Sequence, residues 1–187
     1  MNLSLLEMKD ELSIRSKNGL PFLISATIIW TMITIIFIQP FAINEKNIYM
    51  LFSTGLMLPL SMMIAKILKA DWKSNDNPLG DLGLYLNLAQ LMYFPILFWA
   101  FVKNPYEMII FFAVITGAHF FPFGWFYNTK AYYVLAPVIS IAVTLIGWTL
   151  EIASLWIIPL AMVILLLILI VWLYVDYKEK CKRLLRS

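Results

Sequence analysis

The chain alternates long apolar blocks with short polar segments. Each block holds about twenty residues with few charges, enough for an α-helix to cross a hydrocarbon core of about 30 Å. The blocks are continuous and rich in Leu, Ile, Met and Phe, whereas β-barrel strands would alternate over about ten residues. The pattern therefore predicts an all-α polytopic membrane protein, a bundle of six transmembrane helices forming one integral membrane domain over residues 1–187. The predicted spans cover residues 20–43, 47–68, 82–102, 106–127, 131–149 and 155–174.

The first eighteen residues have a different pattern. Four apolar residues fall on one helical stripe: Met1, Leu5, Met8 and Leu12. Glu11 stands four residues before Arg15, a spacing that favours a helical ion pair. We predict a short N-terminal amphipathic helix on the membrane interface, with a frayed polar tail as the alternative. Asn18-Gly19 followed by Pro21 predicts a break before the first span.

The basic residues predict the orientation. With both termini cytoplasmic, only Lys46 and Lys103 of the fourteen Lys and Arg residues lie in the outer turns. This agrees with the rule that Lys and Arg near span ends face the cytoplasm. Removing one span would put the basic C-terminal tail and the segment 66–73 on opposite sides. The richness in Ile, Lys and Asn indicates a bacterial source, so we predict a multi-pass protein of the bacterial inner membrane.

The net charge of +3 does not indicate nucleic-acid binding, because basic residues of a multi-spanning protein usually report orientation and headgroup contact. The predicted partners are the lipid bilayer and its anionic headgroups at the cytoplasmic face. The residues predicted to bind headgroups are Lys178, Lys180, Lys182, Arg183 and Arg186. The apolar run 163–171 in the last span predicts contact with lipid, with a second copy of the chain, or with a partner membrane subunit.

A candidate ligand site follows from the depth of the polar residues. His119 is the only histidine, and ionisable groups are costly inside a bilayer. Asn87 and Gln90 lie at a similar depth on the preceding antiparallel span, three residues apart on one helical face, and Tyr93 and Thr116 extend the group. We predict that these five residues bind a ligand. The alternatives are an interhelical hydrogen bond, worth about 0.6 kcal/mol in membranes, and a histidine that faces lipid.

Several chemistries are excluded. One histidine and one cysteine, Cys181, cannot form a multi-His or multi-Cys metal site. Phosphate-loop, dinucleotide and nucleophile-elbow motifs are missing from the sequence, and no carboxylate lies deep in a predicted span. We therefore predict no catalytic residue and no cofactor. The leading hypothesis is a protein that binds or transports a small or amphiphilic molecule through spans three and four. The alternatives are a lipid-modifying enzyme that uses His119 as acid or base, and a non-catalytic subunit that docks partners.

Proline and small residues predict local features of the bundle. Spans two to six each contain one proline: Pro59, Pro95, Pro122, Pro137 and Pro159. Each removes a backbone donor and frees a carbonyl four residues earlier, which predicts kinks, or else broken helices that line a site. Two pairs at four-residue spacing predict close helix contacts: Ala113 with Gly117, and Ala136 with Ser140. Trp30, in the middle of a span, is predicted to pack inside the bundle or to face lipid.

Overall fold

A computed structural model describes residues 4–71, 74 and 76–184, so the predictions made for Met1, Lys73 and Arg186 lie outside it. The described residues form ten α-helices and no strand, which confirms the all-α prediction. The helices are α1 Leu5–Arg15, α2 Leu20–Ile38, α3 Ile43–Thr54, α4 Met57–Leu68, α5 Gly80–Ala89, α6 Phe94–Lys103, α7 Met108–His119, α8 Phe121–Phe126, α9 Lys130–Thr149 and α10 Ile157–Leu184. Short 3-10 turns occupy Lys17–Gly19, Gln90–Tyr93 and Ile152–Ser154.

Five helical segments of the described chain are long and apolar enough to cross a membrane. They are Lys17–Ile38, Gly80–Lys103, Met108–Phe126, Lys130–Thr149 and Ile152–Leu184. Helices α3 and α4 have 12 residues each and are long enough only together, and they are bent by 42° relative to each other. The number of apolar helices is therefore five, or six when the bent pair counts as one span.

The bend between α3 and α4 has a local cause. Pro59 cannot donate a hydrogen bond to the carbonyl of Gly55, four residues earlier. The chain tightens there instead, with the Gly55 N–H donating to the Phe52 carbonyl (3.1 Å) and the Leu56 N–H to the Ser53 carbonyl (3.2 Å). The kink predicted at this proline is confirmed. Pro95 and Pro122 lie in the first turns of α6 and α8, where a missing N–H is tolerated, and Pro137 lies inside an unbroken α9.

The bundle has two ends, which we name by the features found there. At the termini end, Lys180 near the end of α10 donates to the Ser13 hydroxyl of α1 (2.9 Å). At the far end, Asn47 of α3 donates to the carbonyl of Pro105 (2.7 Å). Just beyond α4, the Asp71 N–H donates to the Arg15 carbonyl of α1 (2.9 Å). The bent pair thus runs from the far end to the termini end.

The core lies between α2, α7, α9 and α10. Trp30 of α2 is 2% exposed and stacks on Phe112 of α7 with ring centroids 5.1 Å apart, so it packs inside the bundle. The segment Gly80–Lys103 is far less covered. In the most apolar stretch of that segment 11% of the residues are buried, against 50% in Lys17–Ile38 and in Met108–Phe126.

Small residues bring α7 and α9 into close contact. A Cβ atom on Gly117 would lie 2.7 Å from Cγ2 of Ile139 and 3.1 Å from the backbone nitrogen of Ser140. The Ser140 hydroxyl donates across the interface to the Val114 carbonyl (3.3 Å). Ala113 and Ala136 are fully buried, and the predicted close contact is confirmed.

The predicted N-terminal helix forms and packs on the bundle. Ser4 and Glu7 build a capping box, in which the Ser4 N–H donates to the Glu7 carboxylate (2.7 Å). Hydrogen bonds from the backbone and the side chain of Ser4 lower the pKa of Glu7. The predicted Glu11–Arg15 ion pair is present at 2.9 Å. Leu12 is buried in the protein core, so part of the apolar stripe is covered by the protein itself.

Candidate functional site between two apolar helices

The predicted site residues lie along the contact between Gly80–Lys103 and Met108–Phe126, which we call the seam. Near the termini end a Cβ atom on Gly83 would lie 2.9 Å from the Phe126 ring. In the middle of the seam, Gln90 Nε2 donates to Thr116 Oγ1 (3.3 Å). The two contacts fix an antiparallel register, as predicted for consecutive spans.

Gln90 and Thr116 are the two predicted residues that a hydrogen bond brings together. The Thr116 side chain is buried, and its hydroxyl donates to the Phe112 carbonyl of its own helix (2.8 Å) while accepting from Gln90. Gln90 is half-buried and begins the 3-10 turn Gln90–Tyr93. The contact links the two helices at mid-height.

The other three predicted residues point elsewhere. Asn87 donates to the Gly83 carbonyl of its own helix (2.8 Å). His119 is half-buried, and its ring packs edge-on against Phe123 with centroids 5.3 Å apart. Tyr93 is 52% exposed. Within the described residues, no hydrogen bond joins His119 to Asn87 or Gln90.

Local sequence explains the position of His119. Pro122 cannot donate to the Ala118 carbonyl, and α7 ends at His119. The Phe120 N–H bonds instead to the carbonyls of Ala118 and Gly117. The histidine therefore stands at a helix end, one turn from Thr116, with its ring against Phe120 and Phe123.

A buried polar cluster at the termini end escaped the sequence analysis. Asn18 is fully buried in a left-handed conformation (φ 55°, ψ 24°). Its amide donates to the carbonyl of Leu173 (3.1 Å) and to the carboxylate of Asp176 (2.9 Å). Its side-chain oxygen accepts from Ser13, and its backbone carbonyl accepts from the Tyr132 hydroxyl (2.8 Å). Every hydrogen-bonding group of the side chain has a partner.

Lys180 completes this cluster. Its ammonium lies 3.0 Å from the Asp176 carboxylate and 2.9 Å from the Ser13 hydroxyl. It also donates to the carbonyls of Tyr127 (2.8 Å) and Asn128 (3.0 Å), just after α8. Asn128 has a positive φ of 49°, and the chain turns there in a helix-terminating motif that leaves these carbonyls free for a cation. We name Asn18, Ser13, Asp176 and Lys180 the latch.

The structure places one predicted headgroup residue differently from the others. The Lys180 side chain is 11% exposed and turned inward, because the latch supplies its acceptors. Lys178, Lys182 and Arg183 are exposed on α10, and Arg186 lies outside the described residues. The i, i+4 spacing of Asp176 and Lys180 was a visible signal in the sequence, but their partners, Ser13 of α1 and Asn18 of the 3-10 turn Lys17–Gly19, are too distant in sequence to predict.

A second charged group holds α1 to the segment after α4. Arg15 pairs with Glu11 (2.9 Å), with Asp76 (3.3 Å) and with the Asp71 carboxylate. Hydrogen bonds to Asp71 and Glu11 raise the pKa of Arg15 above its usual range. Within the described residues, no group of three His, Cys, Asp or Glu side chains is placed to hold a metal ion.

Comparison with known proteins identifies one family. The family of unknown function DUF7010 matches residues 5–176. The chain belongs to this family. No curated protein and no solved structure matches it. The DUF7010 match includes the whole seam and the first three members of the latch in chain order, Ser13, Asn18 and Asp176, and it ends before Lys178.

Proposed function

We propose that the protein is a multi-pass protein of the bacterial inner membrane that binds a small or amphiphilic molecule at the seam, as a carrier or transporter. The observation that carries the proposal is the polar contact between Gln90, on the least covered of the long apolar helices, and Thr116 on the next helix, with half-buried His119 one turn from Thr116. Polar groups at this depth are costly unless they have partners or a function.

Membrane placement is supported by the direction of the helices. Ser13 and Lys180 are in contact, so the two ends of the chain lie at one end of the bundle. That arrangement requires an even number of crossings, which the bent pair provides as the sixth. Lys46 and Lys103, the two lysines expected outside, flank the far-end contact between Asn47 and Pro105.

Exposed apolar side chains beside the seam support an amphiphilic ligand. Leu91, Met92 and Ile96 are exposed on Gly80–Lys103 beside the polar pair. A molecule with an apolar tail could enter sideways from the lipid and place its polar group near Gln90 and His119.

The topology can be tested with the native cysteine. We expect Cys181 to resist a membrane-impermeant maleimide in intact spheroplasts and to react after lysis, because it lies at the termini end. In a Cys181→Ala background, Asn104→Cys at the far end should react in intact spheroplasts. Labelling of both positions from outside, or of neither, would contradict the proposed orientation.

The ligand can be tested by native mass spectrometry of the protein in mild detergent. We expect the wild type to retain a small molecule or lipid that His119→Phe and Gln90→Leu lose, because each variant keeps the bulk of its side chain but removes the polar group. Thr31→Val is the matched control, since Thr31 bonds only to the Thr27 carbonyl of its own helix. Equal retention by all four forms would refute the site.

A partner subunit is the second candidate function that an observation favours. Met92 and Val102 are each 75% exposed on the uncovered helix, which gives a partner or a second copy an apolar face to cover. The lipid-modifying alternative gains no support from His119, whose ring contacts are Phe120 and Phe123. A subunit would co-purify with a membrane protein and tolerate His119→Phe.

A further inference from the structure

A cleft of about 370 Å³ opens between α2, the end of α4 and α10 at the termini end. Two lysines and two tyrosines line its mouth, Lys17 with Tyr177 and Lys178 with Tyr174, and its inner walls are aliphatic. The volume is within the range of ligand pockets, about 300–1,000 Å³. We name it the basic cleft.

Among the residues that the structure describes, the two lysines of the basic cleft have no anionic partner. The Lys17 ammonium lies 5.6 Å from the centroid of the Tyr177 ring, and the Lys178 ammonium lies 5.4 Å from that of Tyr174. No carboxylate of the described residues lies within 4.0 Å of either ammonium, although the nearby cations Arg15 and Lys180 are both paired. The mouth of the cleft therefore carries two uncompensated positive charges.

The backbone at the mouth is held in a defined shape. Lys17, Asn18 and Gly19 all have positive φ (53°, 55° and 76°), and L-residues rarely adopt this region in succession. The hydrogen bonds of Asn18 to Leu173 and Asp176 fix this turn against α10. The start of the Lys17 side chain is thereby held beside α10.

The basic cleft changes from polar to apolar along its length. Ile24 stands seven residues beyond Lys17, about 10 Å deeper at 1.5 Å per residue. Ile170 stands eight residues before Lys178 on antiparallel α10, about 12 Å deeper. Both residues line the cleft. The amphipathic rings of Tyr174 and Tyr177 stand with the lysines at the mouth, next to the aliphatic interior. This arrangement is typical of a membrane–water interface.

We infer that the basic cleft binds an anionic phospholipid. Lys17 and Lys178 contact the headgroup phosphate, the hydroxyls of Tyr174 and Tyr177 donate to headgroup oxygens, and the first part of an acyl chain lies along Ile24 and Ile170. Basic pockets between helices on the cytoplasmic side are suited to anionic headgroups. The inference rests on the membrane placement proposed above and does not depend on the seam.

The test compares lipid retention in nanodiscs of phosphatidylcholine with one-tenth phosphatidylglycerol, read by native mass spectrometry of the released protein. We expect the wild type to retain phosphatidylglycerol selectively. The double variant Lys17→Gln with Lys178→Gln should lower that selectivity about thirtyfold. Each basic residue near an anionic surface contributes about 1 kcal/mol, and about 1.4 kcal/mol corresponds to a factor of ten. Lys66→Gln with Lys130→Gln is the matched control, because it removes the same charge from two exposed positions near the termini end that lie outside the basic cleft, and it should change selectivity less than threefold.

The outcomes separate the possibilities. Equal loss in both double variants would overturn the site in favour of diffuse attraction by basic surface residues, and no selectivity in the wild type would overturn it outright. Inorganic phosphate that displaces the lipid at millimolar concentration would show a site for free phosphate and overturn the lipid assignment. If the membrane placement fails, no variant enters the nanodiscs. If only the basic cleft fails, all variants enter them without selectivity.

Discussion

Replacing Lys180 by alanine is expected to lower the free energy of unfolding by about 3 kcal/mol, the low end of the range for breaking a buried ion pair. The Asp176 side chain is 25% exposed, and the variant leaves its carboxylate without a cation. The variant also removes the hydrogen-bond donor to the carbonyls of Tyr127 and Asn128. The loss is measured by titrating the protein in mixed micelles with dodecyl sulfate and following tryptophan fluorescence.

The matched control is Lys182→Ala, two residues further along the same helix and exposed. It should change the free energy of unfolding by less than about 0.5 kcal/mol, as surface substitutions usually do. The double variant Asp176→Ala with Lys180→Ala should lose less than the two single losses combined, because the single variants each strand a charge. Equal effects of Lys180→Ala and Lys182→Ala would mean that the latch contributes no stability.

Span positions were predictable because length and apolar composition are local properties. The predicted 131–149 and 82–102 correspond to Lys130–Thr149 and Gly80–Lys103. The first span was predicted too long, to residue 43, whereas α2 ends at Ile38. The physical reason is Pro40, which disfavours helical backbone at the preceding residue, and Gln39 is extended (φ −67°, ψ 154°).

The last helix differs from its prediction in the other direction. The apolar pattern ends near residue 174, but α10 continues to Leu184. Its final turns are polar and would not be stable as an isolated helix of this length in water. They are held by the latch, through Asp176 and Lys180, so a tertiary contact extends the helix beyond the hydrophobic signal.

Depth within the candidate site was predictable, but the rotation of each helix about its axis was not. Residue counts along two antiparallel helices place Gln90 near Thr116, and the two are hydrogen-bonded. The same counts place Asn87 near His119, yet Asn87 donates within its own helix and His119 packs on Phe123. Side-chain direction depends on packing that no single-sequence pattern specifies.

The latched helices and the segment Gly80–Lys103 differ in how firmly they are held. At the termini end the latch joins α10 to α1, to the turn before α2 and to the segment after α8, and the Arg15 pairs join α1 to the segment after α4. The segment Gly80–Lys103 contacts the bundle through few buried residues, among them Leu97 and Ala100. Regions with few buried apolar contacts open at low free-energy cost. Local opening is therefore expected at the seam and not among the latched helices.

Replacing Gly117 by leucine is expected to lower the free energy of unfolding by about 3 kcal/mol, the upper part of the usual range for overpacking. A Cβ atom there already meets Ile139 at 2.7 Å and the Ser140 backbone at 3.1 Å. A backbone atom cannot rotate away, so α7 and α9 must separate. The same dodecyl sulfate titration measures the loss, and Gly117→Ala should give a smaller loss of about 1 kcal/mol.

Gly147→Ala is the matched control, because it lies at the same α7–α9 interface near its other end. A Cβ atom there would meet only side-chain atoms of Ile110, at 2.8 to 3.1 Å, and that side chain can change rotamer. The higher helix propensity of alanine, by about 1 kcal/mol, then offsets most of the cost, and we expect a change within about 0.5 kcal/mol. If Gly117→Ala and Gly147→Ala were equally tolerated, the backbones of α7 and α9 would be further apart than the structure places them.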